Sequence, residues 1–338
     1  MRPSGAAAEA ARSDARHDIA GPQAQQPRRR RFRAGAVHNL SVKEYGPEEG
    51  SPALFLHGGP GSGCRAALCR LFPPGRFRII APDQRGAGES TPKGRLEENT
   101  TQHLIADLEM IREELGIRRW LVVGGSWGAL LAVAYAEACP AAVAGIVVRS
   151  LFLGTDEELQ WAFVTGPRTF YPELYESFTG LLPECERRAP LSAWYPRILH
   201  DDPAIAVPAG FVWHDYERAL SELRPSLPAF PQDLSAMADG TRALPSTPRM
   251  EAHYFSNGCF LEPGQLLDNA RRLADIPGII VQSRYDLLCP PQTAHALSRR
   301  WTACGVVTVE AAGHSQSEAG VEQAVAQAAA SVADEAGL

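Results

Sequence analysis

Hydrophobic positions along the chain fall into two alternating kinds of segment. Residues 53–56, 77–81, 120–123, 143–148, 279–282 and 306–309 are compact runs rich in branched side chains and bounded by Gly, Pro and Asp. That is the pattern of strands covered on both faces. Between and after them, 101–115, 128–138, 291–301 and 321–333 carry helical patterns. The alternation predicts an α/β fold with a doubly wound, mostly parallel sheet.

The alternation stops between about 155 and 264, where Trp, Tyr, Phe, Pro and charged residues dominate and strand-like runs are scarce. This segment reads as a helical cap inserted between two strands of a core formed by 34–154 and 265–338. Residues 1–33 are rich in Ala, Gln, Pro and Arg, have no hydrophobic period, and include the run Arg28 to Arg31. They are expected to be a disordered, solvated tail.

Composition narrows the class without changing the architecture. With 338 residues, 45% hydrophobic and 21% charged, the chain has the balance of a soluble globular protein. A net charge of -6 leaves no overall basic surface, so nucleic acid is not an expected partner, whereas a small substrate is. Seven scattered cysteines without a CxxC pair argue against a disulfide framework or a zinc site and suit a cytoplasmic protein. No apolar segment follows the N-terminal arginines, so neither a secretory signal nor a membrane span is expected. Oligomeric state is left open.

The chemistry is concentrated at strand ends. Residues 120–128 read WLVVGGSWG, an apolar strand entering G-x-S-x-G and then a helix of small residues. The sharp turn needs glycine around a strained nucleophile, which places Ser126 at a helix N-terminus, where backbone N–H groups favour developing negative charge. An earlier strand is followed by HGGPGSG at 57–63, so the backbone N–H groups of Gly59 and Trp127 are candidates for an oxyanion hole. His57, placed before the glycines, reads as a loop brace. The partners of the serine should follow in the order acid, then histidine, each after a strand. SRYDLLCPP supplies Asp286 and EAAGHS supplies His314. His314 would take the proton of Ser126 while Asp286 fixes its tautomer, with no metal or cofactor required.

These motifs resemble those of α/β-hydrolases, and of the proline iminopeptidases among them. The resemblance is carried by HGGPGSG at 57–63, DQRGAGES at 83–90, NTT at 99–101, GGSWG at 124–128, SRYDLLCP at 283–290 and AGHS at 312–315. It covers the chain from about residue 53 to its C-terminal end, strongly in the core and weakly in the cap. Such enzymes release an N-terminal proline from short peptides and hold its protonated amine with cap carboxylates. The resemblance implies that Glu251, in MEAHYF, is one of them. The second is implied after a cap tryptophan, where this chain has Trp213 followed by His214, with Asp215 and Glu217 as possible substitutes. Phe152, Trp161 and Phe163 are candidates for an apolar pocket, although core packing explains such aromatics equally well.

Three readings follow. Glu251 favours a prolyl aminopeptidase working through an acyl-enzyme. His214 in place of a carboxylate favours a serine hydrolase with the same triad but another amide or ester substrate. A catalytically inactive binding scaffold is disfavoured by the intact Ser, Asp and His. Ser126 excludes the aspartate-nucleophile chemistry that other enzymes of this fold use.

Overall fold

The computed structural model describes residues 26–231, 233–234 and 243–338. Eight strands form one sheet in the order β1-β2-β4-β3-β5-β6-β7-β8. They are β1 Arg28–Ala34, β2 His38–Tyr45, β3 Ser51–Leu56, β4 Phe77–Pro82, β5 Trp120–Ser126, β6 Val143–Leu151, β7 Gly278–Ser283 and β8 Cys304–Val309. The β1–β2 and β2–β4 pairs are antiparallel, and every later pair is parallel.

The core helices are α1 Thr101–Glu114, α2 Trp127–Ala138, and three later ones numbered below. Between β6 and β7 the chain forms α3 Asp156–Gln160, a π turn at Trp161–Thr165, α4 Gly166–Phe170, α5 Pro172–Gly180, α6 Pro190–Ile198, α7 Pro203–Ser221 and α8 Ser246–Phe255. Then come α9 Gln265–Asp268, α10 Pro291–Ser298 and α11 Val321–Ala336.

Side-chain alternation along the central strands builds a core on each face of the sheet. On β5, Trp120 and Val122 enter one apolar cluster while Leu121 and Val123 enter the other. Burying each such branched side chain contributes roughly 1.5–3 kcal/mol. Helix α2 is buried from Trp127 to Glu137, which is why it carries so many small residues: bulkier ones would hold it off the sheet.

The sequence reading missed β1 and β2. Residues 28–33, assigned to the tail, form most of an edge strand, and the rest of that tail up to residue 25 lies outside the described residues. Pattern failed here because β1 reads RRRRFRA and β2 buries polar groups. Glu44 of β2, buried, pairs with Arg30 at 2.6 Å and Arg78 at 2.7 Å, and Lys43 donates to Asp83 at 2.9 Å. Charge on an edge strand also opposes pairing with other chains.

Candidate active site

Strand β5 runs into Ser126, which holds φ +57° and ψ −124°, a strained conformation for a residue with a Cβ. The turn closes only because its flanks are glycine. A Cβ on Gly124 would meet the Gly128 carbonyl oxygen at 2.2 Å, and one on Gly128 would meet the Leu56 oxygen at 2.1 Å. The serine is thus lifted to the N-terminus of α2, whose first N–H groups have no intrahelical acceptor. Ser126 lines a cavity of about 500 Å³ together with Gly59, Arg149, His214, Glu217 and His314.

The loop after β3 is braced by Gln84, from the DQRG segment. Its amide donates to the His57 carbonyl oxygen at 2.9 Å, and its side-chain oxygen accepts from Trp127 Nε1 at 2.8 Å. The Gln84 backbone N–H donates to His57 Nε2 at 3.0 Å, leaving His57 Nδ1 to donate to Gly58 O at 2.9 Å. One side chain therefore ties the Gly59 loop to the nucleophile turn, and burial keeps the His57 imidazole neutral-leaning by lowering its pKa.

Across the cavity, His314 Nδ1 lies 3.0 Å from both Oδ1 and Oδ2 of Asp286. Asp286 is itself fixed by the backbone N–H groups of Leu288 at 3.1 Å and Cys289 at 2.8 Å. The half-buried Arg149, absent from the sequence-derived site, donates to the His314 carbonyl oxygen at 3.0 Å and fills the space beside Gly125. Cap and histidine loop are joined as well, because Ser315 N donates to Ser221 O at the end of α7 at 2.9 Å.

The cap helix α8 docks on the core through the NTT segment. His253 Nε2 bonds to Asn99 O and Tyr254 OH donates to Asn99 Oδ1, each at 2.7 Å, and the Tyr254 ring sits 4.4 Å from that of Trp127. This places Glu251 inside, fully buried, with Oε2 accepting from Trp213 Nε1 at 2.7 Å. Its other oxygen, Oε1, has no hydrogen-bond partner among the described residues, and the carboxyl group of Glu217 is its charged neighbour. Burial first, then Glu217, pushes the Glu251 carboxyl well above the usual carboxylate range, and burial raises Glu217 too.

Of the two substitutes that the sequence offers for the carboxylate absent at His214, Glu217 is the one beside Glu251. Glu217 follows Trp213 by four residues, one helical turn, so both side chains emerge on the face of α7 that meets Glu251. His214 also lines the cavity, but its buried Nδ1 has no partner among the described residues. The i, i+4 spacing from Trp213 is the sequence signal that favours Glu217 over Asp215.

A narrow apolar recess opens beside Ser126, lined by Phe152, Leu159, Ala162, Phe163, Phe255 and Leu288, with Glu217 at its edge. Phe152 packs edge-on to Phe255 at 5.8 Å, and Phe163 sits 4.6 Å from Trp213. Phe152 and Phe163 are therefore brought to the recess. Trp161 is not among its walls: its Nε1 donates to Leu287 O at 2.9 Å. Phe255 is a wall that sequence reading did not single out.

Among the described residues, one group of possible metal donors stands together: atoms of Asp286, Cys289 and His314 lie within 4.8 Å of one another. Two of the three are already joined by the Asp286–His314 hydrogen bond. The guanidinium of Arg149, which acts on both Asp286 and Cys289, opposes a further cation there.

The chain matches the family described as the alpha/beta hydrolase fold over residues 52–320. It is 40% identical over 282 residues to the proline iminopeptidase of Xylella fastidiosa strain 9a5c, covering 83% of this chain and 88% of the relative. It is 41% identical over 287 residues to that of Arabidopsis thaliana, covering 84% and 74%. Among solved structures, the proline iminopeptidase of Mycobacterium smegmatis superposes with a TM-score of 0.57 at 18% identity, covering 91% of this chain and 99% of that one. An esterase from Thermogutta terrifontis gives 0.53 at 21%, covering 91% and 99%. At such identity these two speak for the fold alone, whereas the sequence relatives speak for kinship: the chain belongs to the proline iminopeptidase family of α/β hydrolases.

Proposed function

We propose that this protein releases N-terminal proline from short peptides through an acyl-enzyme formed on Ser126. The observation that carries the reading is the Glu217 carboxyl at the edge of the apolar recess that opens on Ser126, with the buried Glu251 carboxyl as its neighbour. A prolyl residue presents one compact apolar ring and one secondary ammonium. The recess takes the ring by burial, and the carboxyl pair takes the ammonium, each charged hydrogen bond contributing about 1.5–3 kcal/mol.

With proline so placed, Ser126 Oγ attacks its carbonyl carbon and His314 accepts the hydroxyl proton. Asp286 holds the imidazole in the tautomer whose Nε2 is free and stabilises the imidazolium. Backbone N–H groups of Gly59 and Trp127 receive the oxyanion. His314 then delivers its proton to the departing amine, and water, activated by the same base, hydrolyses the prolyl ester. The seven unpaired cysteines suit a cytoplasmic site of action.

A different amide or ester substrate was suggested by the apparent loss of one carboxylate. Glu217 removes that ground. The test is kcat/KM on proline β-naphthylamide beside alanine β-naphthylamide and a simple acyl ester, with Ser126→Ala as blank. Preference for proline is expected; ester turnover without prolyl turnover would overturn the reading.

A further inference from the structure

Helix α7 is apolar and packed on most of its circumference, with Val212, Trp213, Tyr216, Ala219 and Leu220 buried. One stripe is different. His214, Glu217, Arg218 and Ser221 follow the i, i+3, i+4, i+7 spacing of a single helical face, and all four line the cavity that contains Ser126. Polar residues so spaced on an inward face need a reason, since the same turns bury aromatic rings on the other side.

Glu217 is accounted for by Glu251 and the substrate ammonium. The remainder of the stripe is cationic or hydrogen-bonding. Among the described residues Arg218, exposed at the cavity rim, reaches one acid, Asp215, at 3.8 Å, too long for a good hydrogen bond. Arg65, exposed on the loop beyond HGGPGSG, lines the same cavity; its carbonyl oxygen accepts from Leu68 N at 3.0 Å, while its guanidinium has no ion pair or hydrogen bond among the described residues. His214 leaves a buried Nδ1 unpartnered, which costs free energy unless a ligand supplies the missing partner. Glu217 is the one carboxylate among the described residues that line it, so the cavity is negative at one end and positive elsewhere.

We infer that Arg65 and Arg218, with His214, form a binding site for the free C-terminal carboxylate of the substrate, and that this protein is tuned to zwitterionic prolyl dipeptides. The inference rests on the aminopeptidase reading above. In such a dipeptide the terminal carboxylate carbon is three bonds from the scissile carbonyl carbon, under about 4 Å, so both ends of the substrate stay within one cavity. Its volume is in the range of small-ligand clefts, roughly 300–1,000 Å³. Long flexible arginine side chains suit a carboxylate whose position shifts with the second residue.

The experiment compares prolyl-alanine with prolyl-alanine amide, two substrates of the same shape that differ in terminal charge, by measuring released proline. The wild-type protein is expected to prefer the free acid by about tenfold in kcat/KM, mainly through KM. That preference should shrink as salt is raised toward about 0.5 M, because half-exposed charges are screened. The double variant Arg65→Gln/Arg218→Gln, checked for an unchanged melting temperature, is expected to bring the ratio near one. Each single variant should lower it part of the way, which keeps the test open if the double variant fails to fold. Equal turnover of acid and amide by the wild type, or a ratio that survives both substitutions, overturns the carboxylate site alone. Absence of turnover on every prolyl substrate, proline β-naphthylamide included, overturns the aminopeptidase reading and this inference with it.

Discussion

Glu217 of α7 and Glu251 of α8 approach each other from two different cap helices, the first half-buried on the cavity wall and the second fully buried, each raising or being raised by the charge of the other. Burial and the neighbouring negative charge both disfavour ionising the two carboxyls together, which favours a proton on the pair while no substrate cation is bound. The pair behaves as one site.

A pH dependence follows for substrate binding. Both carboxyls are raised by burial, and a substrate ammonium must displace the shared proton to gain its full attraction. KM for proline β-naphthylamide is expected to fall as pH rises through the raised carboxyl range, with a proton released on binding. A KM that stays flat between pH 5 and about 8 would contradict the shared proton.

Removing one charge from the pair tests its role directly. Glu217→Gln and Glu251→Gln are each expected to raise KM for prolyl substrates about 10- to 100-fold, with a smaller effect on kcat. Substitution of His214 by Asn should change amide-substrate KM far less. The reverse order would restore His214 to the amine site.

For the catalytic groups, Ser126→Ala is expected to abolish prolyl turnover, and Asp286→Asn to lower kcat about 10⁴-fold by releasing the wrong tautomer of His314. Retained turnover in either variant, measured under single-turnover conditions, removes that residue from the mechanism.

Asp83 offers a stability prediction away from the chemistry. Its buried carboxylate accepts from Lys43 Nζ, Cys64 N and Glu89 N at 2.9, 2.6 and 2.8 Å. Asp83→Ala leaves two N–H groups unpaired and the buried Lys43 ammonium with the Cys64 carbonyl oxygen at 2.9 Å and the longer ion pair to Glu89 at 3.4 Å. A loss of about 3–5 kcal/mol is expected in urea unfolding; a loss under 1 kcal/mol, set against about 1–3 for one orphaned group, would mean the loop relaxes to water.

Glu137 makes the sign of a second pH effect explicit. Buried at the end of α2, its carboxyl is pushed up to about 8 by desolvation, against an ordinary value of 4.5. A raised carboxyl favours folding while protonated, so its contribution is intact below the ordinary value and is lost as pH rises toward 8. Glu137→Gln should therefore leave the melting temperature unchanged near pH 5 and raise it by at least about 2 °C near pH 8.

Sequence alone carried the parallel half of the sheet, because strands buried on both faces must be apolar throughout, and 120–123 or 143–148 admit no other reading. It carried Ser126, Asp286 and His314 as candidates for the same kind of reason: a nucleophile turn can close only with glycine at 124 and 128, and its partners must follow strands. The antiparallel edge was illegible, since β1 is mostly arginine and its stability lies in Glu44 and in pairing with β2, partners that no local pattern announces. The amine site was half legible. Glu251 stood in a readable segment, but the partner of Glu251 depends on how α7 is rotated against α8, and that rotation is set by buried contacts such as Trp213 with Glu251 rather than by the order of residues along the helix. Chain order determines which groups are available; only packing decides which of them share a proton.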